Sequence, residues 1–250
     1  RFTGHNSDMR SSSRAVVAAL AVGALLSVGS PPAPATAAAT PVTVARYDFD
    51  GRSAALLDDS GHGHTMRLIT SRGGTVRPVL HGAGYGLQFP ATCSGATCPH
   101  AVLQARHSAA LNPGRRPIAW GATVRLARSR TSKGQNVVQK GYSATSSQYK
   151  LQIDGRAGRP SCVLVDIRKR AIRLVRSTVG VADGAWHTVK CRRAGALLGI
   201  LVDGRTRGLI RVPATLSVAN TYPLRIGGKG VHADNDQFRG AVDDVFVRIG

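Results

Sequence analysis

Residues 183–204 carry the pattern that most constrains the fold of this chain. Two runs of apolar and β-branched residues, 186–191 and 197–202, flank a polar break, and Asp-Gly pairs stand at 183–184 and 203–204. Asp-Gly pairs supply turn residues that tolerate positive φ, while the runs between them suit a pleated, half-buried surface. The stretch therefore predicts a β-hairpin.

Short runs of the same kind continue from residue 42 to the C-terminus, with almost no 3.6-residue periodicity. The 12 prolines and 29 glycines supply the turns between them. This pattern predicts an all-β fold, a two-sheet antiparallel β-sandwich of the jelly-roll type. The predicted strands are 44–49, 65–68, 85–89, 101–104, 118–126, 136–140, 149–153, 162–167, 171–176, 188–191, 198–202, 224–226 and 241–249.

Several motifs resemble those of laminin G-like domains, which belong to the concanavalin A-like lectin and glucanase superfamily. The matching segments are the hairpin with its Trp186-His187 pair, YDFD at 47–50, DSGHGH at 59–64, LRIGG at 224–228 and FRGAVDDV at 238–245. The resemblance covers residues 44–250. It implies a single jelly-roll domain in residues 40–250.

The N-terminal segment reads as an export signal. Basic residues at 10 and 14 precede an apolar run at 15–28, and small residues after Pro34 offer cleavage sites. We therefore interpret residues 9–39 as a signal peptide and expect residues 1–8 to precede the translation start at Met9. No later run is long and apolar enough to predict a membrane span. The expectation is a secreted, extracellular protein.

Export permits disulfides, and the chain has four cysteines. Three pairings are formally possible. We favour Cys93 with Cys98, which close a short loop, and Cys162 with Cys191, which lie in two predicted strands. A zinc site is the alternative, but the spacing matches no zinc pattern well.

The charge balance predicts anionic partners. The chain has 34 Lys and Arg against 13 acidic residues, a formal net charge of +21. Such a field attracts acidic glycans and other anionic polymers. A predicted turn, Arg168, Lys169 and Arg170, concentrates this charge, and arginine binds sulfate, phosphate and carboxylate well. The alternative is a merely solvated basic surface. We expect no nucleic acid partner, because the chain has no recognition helix or RNA-binding motif.

The resemblance also implies a structural Ca²⁺ site. In the family the first and last strands lie side by side, which would gather carboxylates that suit calcium. The aspartates could instead bond to turn amides or pair with nearby arginines. The candidate ligands are Asp48, Asp50, Asp59, Asp243 and Asp244.

Catalysis is not expected. The superfamily's glucanases hydrolyse with a pair of carboxylates, typically glutamates, and this chain contains no glutamate. Asp243 and Asp244 are neighbours in a predicted strand, so their side chains should point to opposite faces.

The loops favour a binding role instead. Aromatic and planar polar side chains hold sugars, and the candidate residues are Tyr142, Tyr222, His232, Asp234 and Asn235. Trp120 and Trp186 are assigned to the core. The sequence thus predicts a secreted, non-catalytic domain that recognises extracellular carbohydrate or an anionic polymer. The alternatives are a protein-binding adhesion or structural domain and a glycan-active enzyme of the same superfamily.

Overall fold

The computed structural model describes residues 40–51, 56–166, 168 and 171–250. The segment predicted as a signal peptide and the eight residues before it lie outside this part of the chain. Within it, no helix is long and apolar enough to cross a membrane.

Fifteen strands and two short 3₁₀ turns, 109–111 and 128–130, make up the described domain. The strands are β1 Val42–Tyr47, β2 Met66–Ser71, β3 Arg77–His81, β4 Gly84–Gln88, β5 His100–Ala105, β6 Ile118–Arg125, β7 Gly134–Lys140, β8 Gln148–Asp154, β9 Arg159–Asp166, β10 Ala171–Arg176, β11 Trp186–Ala194, β12 Leu197–Val202, β13 Arg205–Arg211, β14 Leu224–Ile226 and β15 Ala241–Ile249.

The strands form two antiparallel sheets, which confirms the predicted β-sandwich. Sheet A has eight strands in the order β13-β12-β11-β6-β15-β4-β3, with β1 also paired to β15. Sheet B has seven strands in the order β10-β9-β8-β7-β14-β5-β2. The first and last strands are neighbours, as the resemblance implied, since Arg46 pairs with Phe246 and Tyr47 with Val245.

The predicted hairpin is present as β11 and β12, with Val189 opposite Val202 and Cys191 opposite Ile200. These four side chains are buried. Because side chains alternate along a strand, the inward faces of both sheets supply one apolar core. Trp120 of β6 lies in this core, with its ring centroid 5.7 Å from that of Tyr149 on the facing sheet.

Both favoured disulfides are present. Cys93 and Cys98 close a loop between β4 and β5. Cys162 of β9 and Cys191 of β11 are completely buried and bonded to each other. Since β9 belongs to sheet B and β11 to sheet A, this second bond crosses the core and joins the two sheets.

The turn before β2 is held by Asp58. Its Oδ1 accepts hydrogen bonds from the backbone N–H of Arg46 and of Ser60, both at 3.0 Å, and its Oδ2 accepts one from His64 N at 2.8 Å. Burial raises the pKa of Asp58, but a hydrogen bond with the Ser60 side chain and these backbone hydrogen bonds outweigh it and hold the pKa below its usual value. Asp58, directly before the Asp-Ser-Gly segment at 59–61, therefore has a structural role, which is to tie the turn to β1.

Two aspartates hold His187 at the end of the hairpin. Its Nδ1 lies 2.8 Å from Asp203 Oδ2, and its Nε2 lies 3.0 Å from Asp183 Oδ1. Burial lowers the pKa of His187, but the hydrogen bonds to Asp203 and Asp183 outweigh it, so the pKa is raised. The charged imidazole can donate to both carboxylates at once.

We expect His187→Gln to lower the melting temperature more at about pH 5.5 than at about pH 8.5. A pKa raised by folding contributes stability that is fully present below the unfolded pKa and is lost as pH rises through the folded pKa. His64 and His100, whose pKa values burial lowers, are present in both proteins, so the difference between variant and wild type isolates His187. Equal differences at both pH values would contradict this role.

Candidate functional site

The outer surface of sheet B carries a row of side chains that crosses the sheet and is polar over its first five strands. Tyr149 and Leu151 of β8 lie in the core, so Lys150 between them points to the outer side. Strand pairing continues the row in both directions from Lys150. Its members, in order across the strands, are Arg67, Gln104, Arg225, Gln139, Lys150, Val163 and Leu174.

We call the central part of this surface the polar face. It consists of Gln104, Asn136, Gln139, Tyr142, Gln148, Lys150 and Arg225, which come from β5, β7, β8, β14 and the loop after β7. Amides, one hydroxyl and two cations make up this set. Such groups hydrogen-bond hydroxyl-rich ligands from several directions.

Lys150 is half-buried at the centre of the polar face. Burial lowers its pKa, against the opposing effect of the Asp236 and Asp154 carboxylates. Within the described residues, its ammonium has no hydrogen bond to a protein group. A desolvated donor of this kind gains from an acceptor on a ligand.

Two buried acceptors lie on either side of Lys150. Gln148 precedes it by two residues on β8, and Asn136 of β7 pairs with the residue two positions after it. Both side chains are almost fully buried. Their amide nitrogens are used, with Asn136 Nδ2 2.6 Å from Gln139 Oε1 and Gln148 Nε2 2.9 Å from Gly141 O. Their carbonyl oxygens have no partner in the described part of the chain. Buried acceptors are normally paired, so each of these two would gain from a donor, which a ligand hydroxyl can supply once the side chain rotates toward it.

Two tyrosines stand at one end of the polar face. Tyr142 follows β7 and Tyr222 precedes β14, and their ring centroids are 4.7 Å apart in an edge-to-face arrangement. The guanidinium of Arg225 donates to the Tyr142 hydroxyl. That hydroxyl in turn donates to the backbone oxygen of Lys229 at 2.5 Å. The structure thus brings together two residues predicted as ligand-binding, and it places them beside the polar row.

The other residues predicted to bind sugar lie in the loop after β14. His232 and Asp234 are exposed on it. Asn235 is buried and its Nδ2 donates to Gly230 O at 2.6 Å, so it holds the loop in shape. Lys229 pairs with Asp236 at 2.9 Å, and Asp236 O accepts from Asn136 N at 2.8 Å. This loop therefore borders the polar face.

Two of the predicted calcium ligands, Asp59 and Asp244, line the same cavity beside β1. Asp59 Oδ2 accepts from Asp48 N at 3.1 Å, and Asp50 Oδ1 accepts from Tyr85 N at 2.8 Å. Asp243 and Asp244 lie together near His81, and the three offer ligand atoms within 4.8 Å of one another. Turn hydrogen bonds thus occupy at least one oxygen of several of these carboxylates. Calcium binding stays a prediction.

Trp186 was assigned to the core, and that assignment is wrong. Its pairing partner is Arg125, and the guanidinium lies 4.9 Å from its ring. The ring of His81 also packs against the Trp186 ring, at a centroid distance of 4.3 Å. Val189 and Cys191 are the inward residues of β11, so alternation places Trp186 on the outer surface of sheet A. His81 also bonds Asp243 at 2.6 Å, and burial raises the pKa of Asp243.

The predicted basic turn is only partly within the described residues. Arg168 is exposed and its guanidinium binds Asp166 through Nε at 3.2 Å and Nη2 at 3.0 Å. Lys169 and Arg170 lie outside the described residues. Arg168 thus has a carboxylate partner of its own on the adjoining strand.

Sequence reasoning missed Lys150, Gln139, Gln148 and Arg225. One signal was present, because Gln148, Lys150 and Gln152 alternate with Tyr149, Leu151 and Ile153. Polar residues at every second position of a strand mark its outer side. The cross-strand neighbours could not be read in the same way, since they depend on strand order.

Comparison with known proteins agrees with this fold. Residues 141–248 match the family model of the laminin G domain. No curated protein sequence matches the chain.

Solved structures share the architecture at low sequence identity. Domain 4 of AbnA, an extracellular arabinanase of Geobacillus stearothermophilus, has a TM-score of 0.64 and 13% identity, covering 84% of this chain and 93% of that domain. The binding domain of Paraclostridial Mosquitocidal Protein 1 has a TM-score of 0.62 and 11% identity. The match covers 82% of this chain and 48% of the toxin chain. The binding domain of Botulinum Neurotoxin DC has a TM-score of 0.58 and 11% identity. The match covers 82% of this chain and 47% of the toxin chain.

The chain spans about half the length of these two toxin binding domains. At such identities the likeness shows the fold alone. The resemblance to laminin G-like jelly rolls is therefore confirmed, by the family match over residues 141–248 and by the fold of the described residues.

Proposed function

We propose that this protein is a secreted, non-catalytic carbohydrate-recognition domain that binds a glycan on the polar face of sheet B. The observation that carries the proposal is the half-buried Lys150, which lies between two buried acceptors without partners, Asn136 Oδ1 and Gln148 Oε1. A sugar offers hydroxyls that both donate and accept. Its oxygens can therefore accept from the ammonium, and its hydroxyls can donate to the two carbonyl oxygens once those side chains rotate toward the ligand.

The two tyrosines at one end of the polar face support a sugar as the ligand. The Tyr142 and Tyr222 rings provide an aromatic corner beside Arg225. Aromatic rings combine a flat apolar surface with a polar tip, which suits the mixed surface of a pyranose or furanose ring. Ligand sites in general combine apolar walls with a few placed polar groups.

The fold relatives add independent support. Domain 4 of AbnA was solved in complex with arabinotriose, and the Botulinum Neurotoxin DC binding domain in complex with SialylT. Two disulfides, one of them across the core, fit a protein that functions in an oxidising compartment outside the cytoplasm.

An oligosaccharide array tests the proposal. The array should hold neutral and acidic glycans, arabinotriose among them, and binding should be read at about 0.1 M and about 0.5 M NaCl, since salt screens surface charge. We expect binding that survives the higher salt, because short hydrogen bonds in a partly buried site are weakly screened. A blank array would overturn the proposal and favour a protein partner.

Lys150→Met should weaken the binding of the array's strongest neutral glycan by roughly 10- to 100-fold, the loss expected for a hydrogen bond to a charged donor. Methionine keeps the length of the side chain and removes the ammonium. Lys190→Met is the matched control, because Lys190 is also half-buried on an outer strand face, but of sheet A. Isothermal titration measures both variants. Equal losses in the two would contradict a site on the polar face.

A further inference from the structure

The outer surface of sheet A carries a groove that runs across the strands, on the opposite side of the sandwich from the polar face. Strand pairing places six residues in line from β13 to β1. They are Leu209, Gly199, Arg192, Ala119, Arg248 and Thr43. At about 4.8 Å between strands, this line is about 24 Å long.

Small residues on the outer side form part of the groove floor. Ala119 and Gly121 of the central strand β6 offer no more than a methyl group, and Gly199 of β12 offers none. The structure has no room for a larger residue than glycine at position 121, since a Cβ there would lie 2.4 Å from Val189 O and 3.0 Å from the ring of Phe246. The longer side chains of the neighbouring strands therefore form the walls.

Three cavities follow one another along this groove. One of about 310 Å³ includes Lys190, Arg192 and Leu209 in its lining. A smaller one of about 60 Å³ lies between Arg192 and Arg248. A third of about 430 Å³ includes Arg248 and Arg46, together with the carboxylates of Asp59 and Asp244 at the β1 end. Neighbouring cavities share an arginine, so the three adjoin one another along the groove.

Four cations line the groove, Lys190, Arg192, Arg248 and Arg46. Arg192, Arg248 and Arg46 are exposed. Arg46 lies 4.0 Å from Asp244 at the β1 end, and Arg248 stacks 5.4 Å from the ring of Phe246. In the described chain, no carboxylate forms a salt bridge with Lys190, Arg192 or Arg248. The middle of the groove is thus positively charged and available.

We infer that this groove binds an extended polyanion that carries sulfate or phosphate groups along its length. Arginine forks bind both groups bidentately. Arg192 and Arg248 are separated by one strand, so their attachment points are about 10 Å apart. A linear polymer that carries many anionic groups can therefore reach both arginines. A trough with a floor of small residues admits a thin chain, whereas a flat bilayer surface would touch only its walls.

This inference adds a second ligand to the proposed function and does not depend on it. The two outer surfaces of a sandwich face opposite ways, so both ligands could be held at once. The protein would then connect a glycan to an anionic polymer.

Titration of the protein with dextran sulfate and with long-chain inorganic polyphosphate, over a series of NaCl concentrations, tests the inference. The two probes separate sulfate from phosphate recognition, and uncharged dextran is the blank. The Arg192→Gln/Arg248→Gln variant should bind the preferred polymer about five- to thirtyfold more weakly. Its slope of log affinity against log salt should be smaller by about one to two units.

Arg106→Gln/Arg159→Gln is the matched control, because it removes the same charge from two exposed arginines away from the groove. It should retain the affinity within about twofold. Equal losses in both double variants would overturn the inference, since net charge alone would then explain binding. So would binding to vesicles with anionic lipid in preference to both polymers, or no binding to either polymer. Lys150→Met should leave polymer binding unchanged, which separates this site from the polar face.

Discussion

Removal of the buried disulfide, in a Cys162→Ala/Cys191→Ala variant, should lower the free energy of unfolding by about 3–4 kcal/mol. The two cysteines are 29 residues apart in sequence, and a cross-link of that span removes considerable chain entropy from the unfolded state. The bond also joins β9 of sheet B to β11 of sheet A through the core. Its loss therefore frees the two sheets to separate at the point where they are covalently held. A domain of this kind is stable by only about 5–15 kcal/mol in total.

The second disulfide provides the control. Cys93 and Cys98 are 5 residues apart and close a surface loop, so Cys93→Ala/Cys98→Ala should cost about 2 kcal/mol by the same argument. Guanidinium chloride unfolding curves measure both variants against the wild type. A loss for the buried pair no larger than that for the loop pair would show that the inter-sheet bond is not a main source of stability.

Gly227→Ala should destabilise the domain by about 3 kcal/mol or more. Gly227 directly follows β14 and has a φ of 93°, which a residue with a Cβ rarely adopts. A Cβ would also lie 2.0 Å from the Phe89 ring. Phe89 is buried and packs edge-on against Phe238 at 5.9 Å. The substitution would therefore force apart side chains of the core as well as strain the backbone.

Gly195→Ala separates these two effects. Gly195 lies between β11 and β12 with a φ of 54°, and a Cβ there would meet nothing within 4 Å. It should cost about 1–2 kcal/mol, from the backbone alone. Thermal or chemical unfolding of the two variants makes the comparison, and equal losses would contradict the proposed contact with Phe89.

The motif at 224–228 shows why a resemblance could predict so much of the fold. Gly227, the first glycine of the motif, must be a glycine because its φ is positive and because a Cβ would overlap the Phe89 ring. A Cβ on Gly228 would lie 3.0 Å from Val102 and 3.1 Å from Asn235. Such positions are set by backbone geometry and tolerate few alternatives. The turn at Asp58 is also set by backbone geometry, since the Asp58 carboxylate accepts hydrogen bonds from three backbone amides.

Two strands were not predicted, and both are edge strands of sheet A. β3 contains a proline, and β13 contains three arginines and a glycine among its seven residues. Proline and charge are typical of edge strands, where they discourage pairing with other chains. They also weaken the alternation by which strands are recognised. All thirteen predicted strands have a counterpart in the structure, although Ile167, the last residue predicted for one of them, lies outside the described residues.

The candidate site was harder to predict than the fold. The sequence indicated Tyr142 and Tyr222, which do lie together, but the polar row depends on the strand order β8-β7-β14-β5. That order places Gln139 beside Arg225, and Arg225 beside Gln104, across long separations in sequence. Local patterns contain no information on such neighbours. The assignment of Trp186 to the core was wrong for a related reason, because its apolar context does not show which side of the sheet the side chain faces.

The most direct test of the account is to map where a glycan binds. Backbone amide NMR signals of the protein can be followed while the array's strongest oligosaccharide is added. We predict that the perturbed residues cluster on β7, β8 and β14, around Gln139, Lys150 and Arg225, with the signals of Lys190 and Arg192 on sheet A unchanged. Perturbations confined to the sheet A groove, or to the loops around Asp48 and Asp244, would contradict carbohydrate recognition at the polar face.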